Sequence, residues 1–151
     1  MDSMQEVVTE LKTVLLAEDY EDSRYMLGRL LEMSGYRVLE ASDGREAVEM
    51  AERKCPDVVL MDLQMPVLDG LSATRLIRRI ESICRVPVIA VSAQPTEDFT
   101  SAAAQVGCDH FVSKPVDFDL LLEVIRECTE GTGTRHVAAP PGSTTAGQHC
   151  V

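Results

Sequence analysis

Tryptophan is absent from these 151 residues, and phenylalanine and tyrosine occur three times each. A core drawn from such a chain must be mostly aliphatic, with methionine as filler. Basic residues are scarce: 14 Lys and Arg stand against 25 Asp and Glu, a net charge of -11. That balance argues against direct binding of nucleic acid or an anionic membrane. It favours cationic ligands, metal ions or basic protein faces. No CxxC pair occurs among Cys55, Cys84, Cys108, Cys128 and Cys150. An odd, unpaired set reads as reduced thiols rather than a disulfide framework or zinc site. No apolar run approaches the ~20 residues of a membrane span. The opening MDSMQEVVTE has no basic-then-apolar export pattern. A soluble, cytoplasmic protein is expected, with one domain that removes roughly two thirds of its unfolded surface from water.

What is present is a set of short apolar runs that end in polar chemistry. Val14 to Ala17 ends in Glu18-Asp19, and Val58 to Met61 ends in Asp62. Pro87 to Val91 ends in Ser92, and His110 to Ser113 ends in Lys114-Pro115. Runs this short and β-branched suit strands buried on both faces. Arg37 to Glu40 is less apolar and reads as a strand nearer an edge.

Helical patterns lie between them. The first is capped by Asp22 or Ser23, buries Met26, Leu27, Leu30 and Leu31, and is closed by Gly35. The second opens on Asp43 with Glu46 three residues on, buries Ala47, Val48 and Ala51, and stops at Pro56. A third starts near Leu71 and buries Ala73, Leu76, Ile77 and Ile80, with Arg75, Arg78 and Arg79 facing water. The fourth has Pro95 in its first turn, a stripe of Phe99, Ala102, Ala103 and Val106, and Gly107 at its end. The fifth is capped by Asp117 and buries Leu120, Leu121, Val124, Ile125 and Cys128. From Gly131 the composition turns to Gly, Pro, Ser, Thr and Ala with Arg135 the single Lys, Arg, Asp or Glu, a flexible tail. The expected division is a flexible lead over 1–11, one domain over 12–130 and the tail over 131–151.

Five strand-helix alternations argue a parallel sheet with helices on both faces. All strand ends then lie on one edge, where open α/β sheets bind ligands. Glu18, Asp19, Asp62, Ser92 and Lys114 can therefore converge. Carboxylates about 4 Å apart repel by ~4 kcal/mol per pair at an effective dielectric near 20. A hard divalent cation relieves this, and oxygen ligands that leave room for waters suit Mg²⁺. A carboxylate beside Mg²⁺ and a lysine is equipped to take a phosphoryl group as an acyl phosphate.

Taken together, LLAED (15–19), LMDLQMPVLDG (60–70), VSA (91–93) and FVSKP (111–115) make the chain resemble a bacterial two-component response-regulator receiver domain. The resemblance covers about residues 12 to 130 and is specific as a set, though each motif alone is weak. It implies a flavodoxin-like (βα)5 doubly wound sheet of five parallel strands in the order 2-1-3-4-5. Position by position, it implies Asp62 as phosphoacceptor. It gives Asp19, Asp62 and the backbone carbonyl of Gln64 as Mg²⁺ ligands, with Mn²⁺ as an alternative ion. Glu18, where many members have Asp, would act through a water. Lys114 would bind the phosphoryl group and pair with Asp62 in its absence. Ser92 and Phe111 would be the switch pair, and the Lys114-Pro115 bond would be cis. Gln64 and Gln94 would flank the path of the hydrolytic water, and Gly70 shapes the loop over the site.

The implied function is a signalling module rather than an enzyme, phosphorylated by a histidine kinase or histidine phosphotransfer protein. It would assist its own phosphorylation and dephosphorylation. Output would pass by protein contact, through the face of the fourth helix, fifth strand and fifth helix, which could also form a homodimer. Three rivals weigh less. An aspartyl-phosphate phosphatase would place a second Asp at position 64, which is Gln64. A phosphorylation-independent pseudo-receiver would lack an acid or the lysine, and both are intact. A flavin protein of this topology needs a Ser/Thr/Gly-rich first loop, not Glu18-Asp19-Tyr20-Glu21. Arg75, Arg78 and Arg79 are read as a solvated face, and His110, His136 and His149 as isolated.

Overall fold

The apolar runs form the strands expected of them. In the computed structural model, which describes residues 11–130, these are β1 (Thr13–Ala17), β2 (Arg37–Ala41), β3 (Val58–Asp62), β4 (Val88–Ser92) and β5 (His110–Ser113). The helices are α1 (Glu21–Met33), α2 (Gly44–Lys54), α3 (Gly70–Ile77), α4 (Glu97–Val106) and α5 (Phe118–Glu130), with a short 3₁₀ turn at Glu81–Ile83. The expected N-terminal lead, save Leu11, and the tail from Gly131 lie outside the described residues.

All strands are parallel, in the order β2-β1-β3-β4-β5. β1, β3 and β4 lie inside the sheet and are buried almost throughout, which is why their sequences are continuous apolar runs. β2 is an edge strand and largely half-exposed. The period of two divides each strand between two layers. Leu15, Val59, Met61 and Val88 face α2 and α3 through Ala47, Ala51, Ala73 and Ile77. Val14, Leu16, Val58, Leu60 and Ile89 face α1 and α5 through Leu27, Leu31, Leu121 and Ile125. Each large aliphatic side chain removed from water in this way contributes roughly 1.5–3 kcal/mol. α4 packs more lightly: Ala103 is its one fully buried residue, and Phe99, Ala102 and Val106 are half-buried.

The helix ends show where local chemistry acts. Asp43 and Asp69 cap α2 and α3 by accepting the amides of Glu46 and Ser72 at 2.8 Å each. Glu46 in turn accepts the Ser42 amide at 2.7 Å, so the expected reciprocal cap forms one residue earlier. Asp117 accepts the Leu120 amide at the start of α5. α1 departs from expectation, because Tyr20 occupies its cap without a side-chain hydrogen bond and Asp22 lies inside the first turn. Glu21 and Asp22 there complement the helix dipole instead. Pro95 precedes the helix, and Thr96 is the cap of α4.

Four residues placed in buried stripes are exposed or outside their helix. Met26, Leu76 and Leu120 are 57%, 40% and 48% exposed. Ile80 falls beyond the end of α3 and is half-buried. The largest correction is Arg78. It caps α3 and turns inward, donating to the carbonyls of Val86 (2.6 Å), Cys84 (3.0 Å) and Gly107 (2.7 and 3.1 Å) and to the Asp109 carboxylate (3.1 Å). Asp109 also accepts the Val88 amide at 2.9 Å. The thiols of Cys55 and Cys108 are free as expected, whereas Cys84 is disulfide-bonded, against the expectation of reduced thiols throughout. Burial pushes the Cys108 thiol up to about 11, against the partial relief of a hydrogen bond to Thr74.

Candidate functional site

Parallel pairing delivers the strand ends to one edge. Ala17 pairs with Met61, Asp62 with Val91, and Ser92 with Ser113. The residues just past or at those ends, Glu18, Asp62, Ser92 and Lys114, are thereby neighbours although up to 96 positions separate them in the chain. The Lys114 ammonium donates to Asp62 Oδ2 at 3.0 Å and to Glu18 Oε1 at 3.2 Å. The Lys114 amide bonds the Ser92 carbonyl at 2.9 Å, fixing the root of the lysine. The Lys114-Pro115 peptide is cis, as expected.

Backbone amides hold the two carboxylates from the other side. Asp62 Oδ1 accepts the Gln64 amide at 3.0 Å, and Glu18 Oε2 accepts the Tyr20 amide at 3.1 Å. Glu18 and Asp62 are 3% and 4% exposed. Asp19 stands exposed beside them. Glu18, Asp19 and Asp62 each offer a carboxylate oxygen within 4.8 Å of the others. An open cleft of about 510 Å³ adjoins the trio, lined by Asp19, Leu63, Gln64, Met65, Asp69 and Phe99 among others.

The electrostatics are unbalanced. Among the described residues, three carboxylates cluster here, and the Lys114 ammonium pairs with two of them, Glu18 and Asp62. Burial, and then the Asp62 charge, raise the Glu18 carboxyl above its usual range; the Tyr20 amide and Lys114 oppose this without cancelling it. Burial alone would lower the Lys114 ammonium, but hydrogen bonding and attraction from Asp62, then Glu18, outweigh it and leave its pKa raised. A donor set of close carboxylate oxygens with surplus negative charge fits a hard divalent cation such as Mg²⁺.

The remaining expected residues take the following places. Ser92 is fully buried, and its Oγ accepts the Gln94 amide at 3.0 Å, which leaves its hydrogen to donate. Gln64 and Gln94 are exposed, and Gln64 lines the cleft. Phe111 is half-buried and packs with Phe99, Leu71 and Cys108 against Leu63, Ala90 and Ala103. Gly70 donates its amide to the Leu63 carbonyl at 3.1 Å. Any Cβ there would collide with the Asp62 carbonyl, so a side chain would displace the strand end itself. Sequence reasoning missed Arg24, whose guanidinium donates to the Glu18 carbonyl at 2.8 Å. No local pattern marks it, since it is one of several charged residues on α1.

Residues 14–126 match the response regulator receiver domain family. The chain belongs to that family. Among its relatives is the polar-differentiation response regulator DivK of Brucella ovis, 34% identical over 115 residues, covering 76% of this chain and 94% of that protein. The receiver domain of sensor histidine kinase PA1611 from Pseudomonas aeruginosa is a structural neighbour at 36% identity and a TM-score of 0.75, over 80% of this chain and 99% of that one. That structure has a magnesium ion coordinated in its active-site cleft. Chemotaxis response regulator CheY4 of Vibrio cholerae is similar at 26% identity and a TM-score of 0.74, over 79% of this chain and 99% of that one. The receiver fold expected from the motifs, five parallel strands in the order 2-1-3-4-5, is the fold found. The chain is thus a response regulator receiver domain of the two-component signalling class.

Proposed function

We propose that Asp62 accepts a phosphoryl group from a histidine kinase or histidine phosphotransfer protein, in a Mg²⁺-dependent reaction. The observation that carries this is the Lys114 ammonium set 3.0 Å from Asp62 and 3.2 Å from Glu18 at the floor of an acidic trio. The magnesium-containing neighbour at 36% identity supports the choice of ion. Asp19, Asp62 and the backbone carbonyl of Gln64 would hold the cation, with Glu18 acting through a water. When bound, the ion would neutralise charge on the phosphoryl oxygens.

This chain's residues supply the rest. An Asp62 oxygen forms the new P–O bond as the bond from phosphorus to the donor imidazole breaks, and the imidazole nitrogen keeps the electron pair. The Asp62–Lys114 pairing gives way, and Lys114 turns its donors to the phosphoryl oxygens. Ser92 donates its hydroxyl hydrogen to one of those oxygens. Phe111, which shares its apolar cluster with Phe99 of α4, carries the change to the α4-β5-α5 face. That face contacts a downstream protein or a second copy of the chain. Gln64 and Gln94 set the lifetime of the phosphoryl state by flanking the path of water. Such a module works in the cytoplasm as a signalling protein, with dephosphorylation as its own slow reaction.

The test is incubation with Mg²⁺ and a small acyl phosphate, read by intact mass. One added phosphoryl group on the wild type, none on Asp62→Asn and none with EDTA would support the reading. An unmodified wild type would overturn it in favour of a phosphorylation-independent interaction module.

A further inference from the structure

The loop from Leu63 to Asp69 forms most of the cleft beside the acidic trio, and its conformation is strained. Val67 has a φ of 68°, a left-handed value that β-branched residues rarely adopt. The Leu68 amide reaches the Pro66 carbonyl at 2.6 Å, closing a γ-turn around it. Strain of this kind persists only where surroundings over-determine the backbone.

Those surroundings are two glycines, one at each end of the turn. Gly70 lies against the Asp62 carbonyl, as described. Gly44, the first residue of α2, lies against Leu68: a Cβ there would overlap the Leu68 carbonyl oxygen and come within 2.7 Å of its carbonyl carbon. Gly44 is not in the left-handed region, unlike Gly35 and Gly107. Its lack of a side chain therefore serves space rather than backbone conformation. The Leu68 side chain adds to this contact by packing against the core beneath α2 and α3. α2 is itself tied to the site, because the Glu18 amide bonds the Ala41 carbonyl at 3.0 Å just ahead of the Asp43 cap.

We propose that Gly44 is a positioning residue: by admitting the Leu68 backbone onto the start of α2, it holds the strained loop so that the Gln64 carbonyl is correctly placed for the cation. The proposal rests on the reading of Asp62 as a Mg²⁺-dependent phosphoacceptor and adds the remote contact that sets the geometry of its cleft. No local signal links residues 44 and 68.

Calorimetric titration of Mg²⁺ into wild type, Gly44→Ala and Ala51→Gly tests it. Ala51 is fully buried further along α2, so Ala51→Gly lowers stability without touching the loop. The expected result is at least a tenfold loss of Mg²⁺ affinity in Gly44→Ala and wild-type affinity in Ala51→Gly. Affinity within twofold of wild type in folded Gly44→Ala overturns the proposal, as does an equal loss in both variants. Should Gly44→Ala not fold, Leu68→Ala removes the side-chain anchor while keeping the backbone. A several-fold loss in Leu68→Ala supports the proposal, and unchanged affinity sinks it. The wild type separates the two levels of the argument. If it binds Mg²⁺ and takes the phosphoryl group while Gly44→Ala does both equally well, only the role of Gly44 fails. If the wild type does neither, the phosphoacceptor reading fails and the role of Gly44 falls with it.

Discussion

The two edges of this sheet each hold a half-buried cation among carboxylates, and they are built for different ends. At the amino edge, among the described residues, Arg78 meets the Asp109 carboxylate and three backbone carbonyls. A planar guanidinium serves acceptors from several directions at once. At the carboxyl edge, Lys114 meets Asp62 and Glu18 while Asp19 stands by, so negative charge is in surplus. A lysine is a compact point charge on a flexible stem, able to move between partners. The first edge is closed and structural. The second carries surplus negative charge on close carboxylate oxygens, a donor set that suits a divalent cation.

The largest expected effect breaks the closed edge. Arg78→Ala leaves the Asp109 carboxylate without its cation and the carbonyls of Cys84, Val86 and Gly107 without this donor, and should cost about 3 kcal/mol, read by urea unfolding. Mg²⁺ affinity in the folded variant should match wild type, since the site lies at the other edge. A loss of Mg²⁺ binding alongside stability would mean that the two edges are coupled.

Next comes completion of the open edge. Mg²⁺ at about 100 times its dissociation constant should stabilise the wild type by about 2.7 kcal/mol, seen as a rise in Tm. Asp19→Asn should lose most of that rise while keeping its stability in EDTA, because the Asp19 side chain is exposed. Equal rises in both proteins would remove Asp19 from the ligand set.

The smallest effect is in pH. The folded-state pKa of Glu18 lies above its ordinary value of 4.5, so the folded protein binds this proton more tightly than the unfolded chain. Its contribution to stability therefore rises as pH falls through the folded pKa toward 4.5, and the cost is fully present above that window. In EDTA, the unfolding free energy of wild type minus that of Glu18→Gln should increase on acidification from neutrality. A difference that is flat or falls with acid would contradict a Glu18 carboxyl raised by burial and by the Asp62 charge.

The same contrast explains what the sequence could tell. Strand ends were readable because a buried parallel strand needs a continuous apolar run, and the first polar residue after it marks the edge. Glu18, Asp62, Ser92 and Lys114 are therefore legible in the sequence. Strand order was not readable from the runs and came only with the family motifs. Arg78 is not legible because α3 ends at Ile77; beyond a helix end the 100° period no longer says where a side chain points. The exposure of Leu76 and Leu120 is not legible because apolar character alone widens the stripe of a short or terminal helical segment. The Gly44–Leu68 contact carries no signal, since a missing side chain looks the same whether it serves a turn or makes room for another backbone.

The most direct test of the open edge is to trap its product. After treatment with Mg²⁺ and a small acyl phosphate, borohydride reduction converts an aspartyl phosphate to homoserine, which peptide mass spectrometry can place. Homoserine at position 62 alone is the predicted result. Reduction at position 19, or no reduced residue anywhere, would contradict the account.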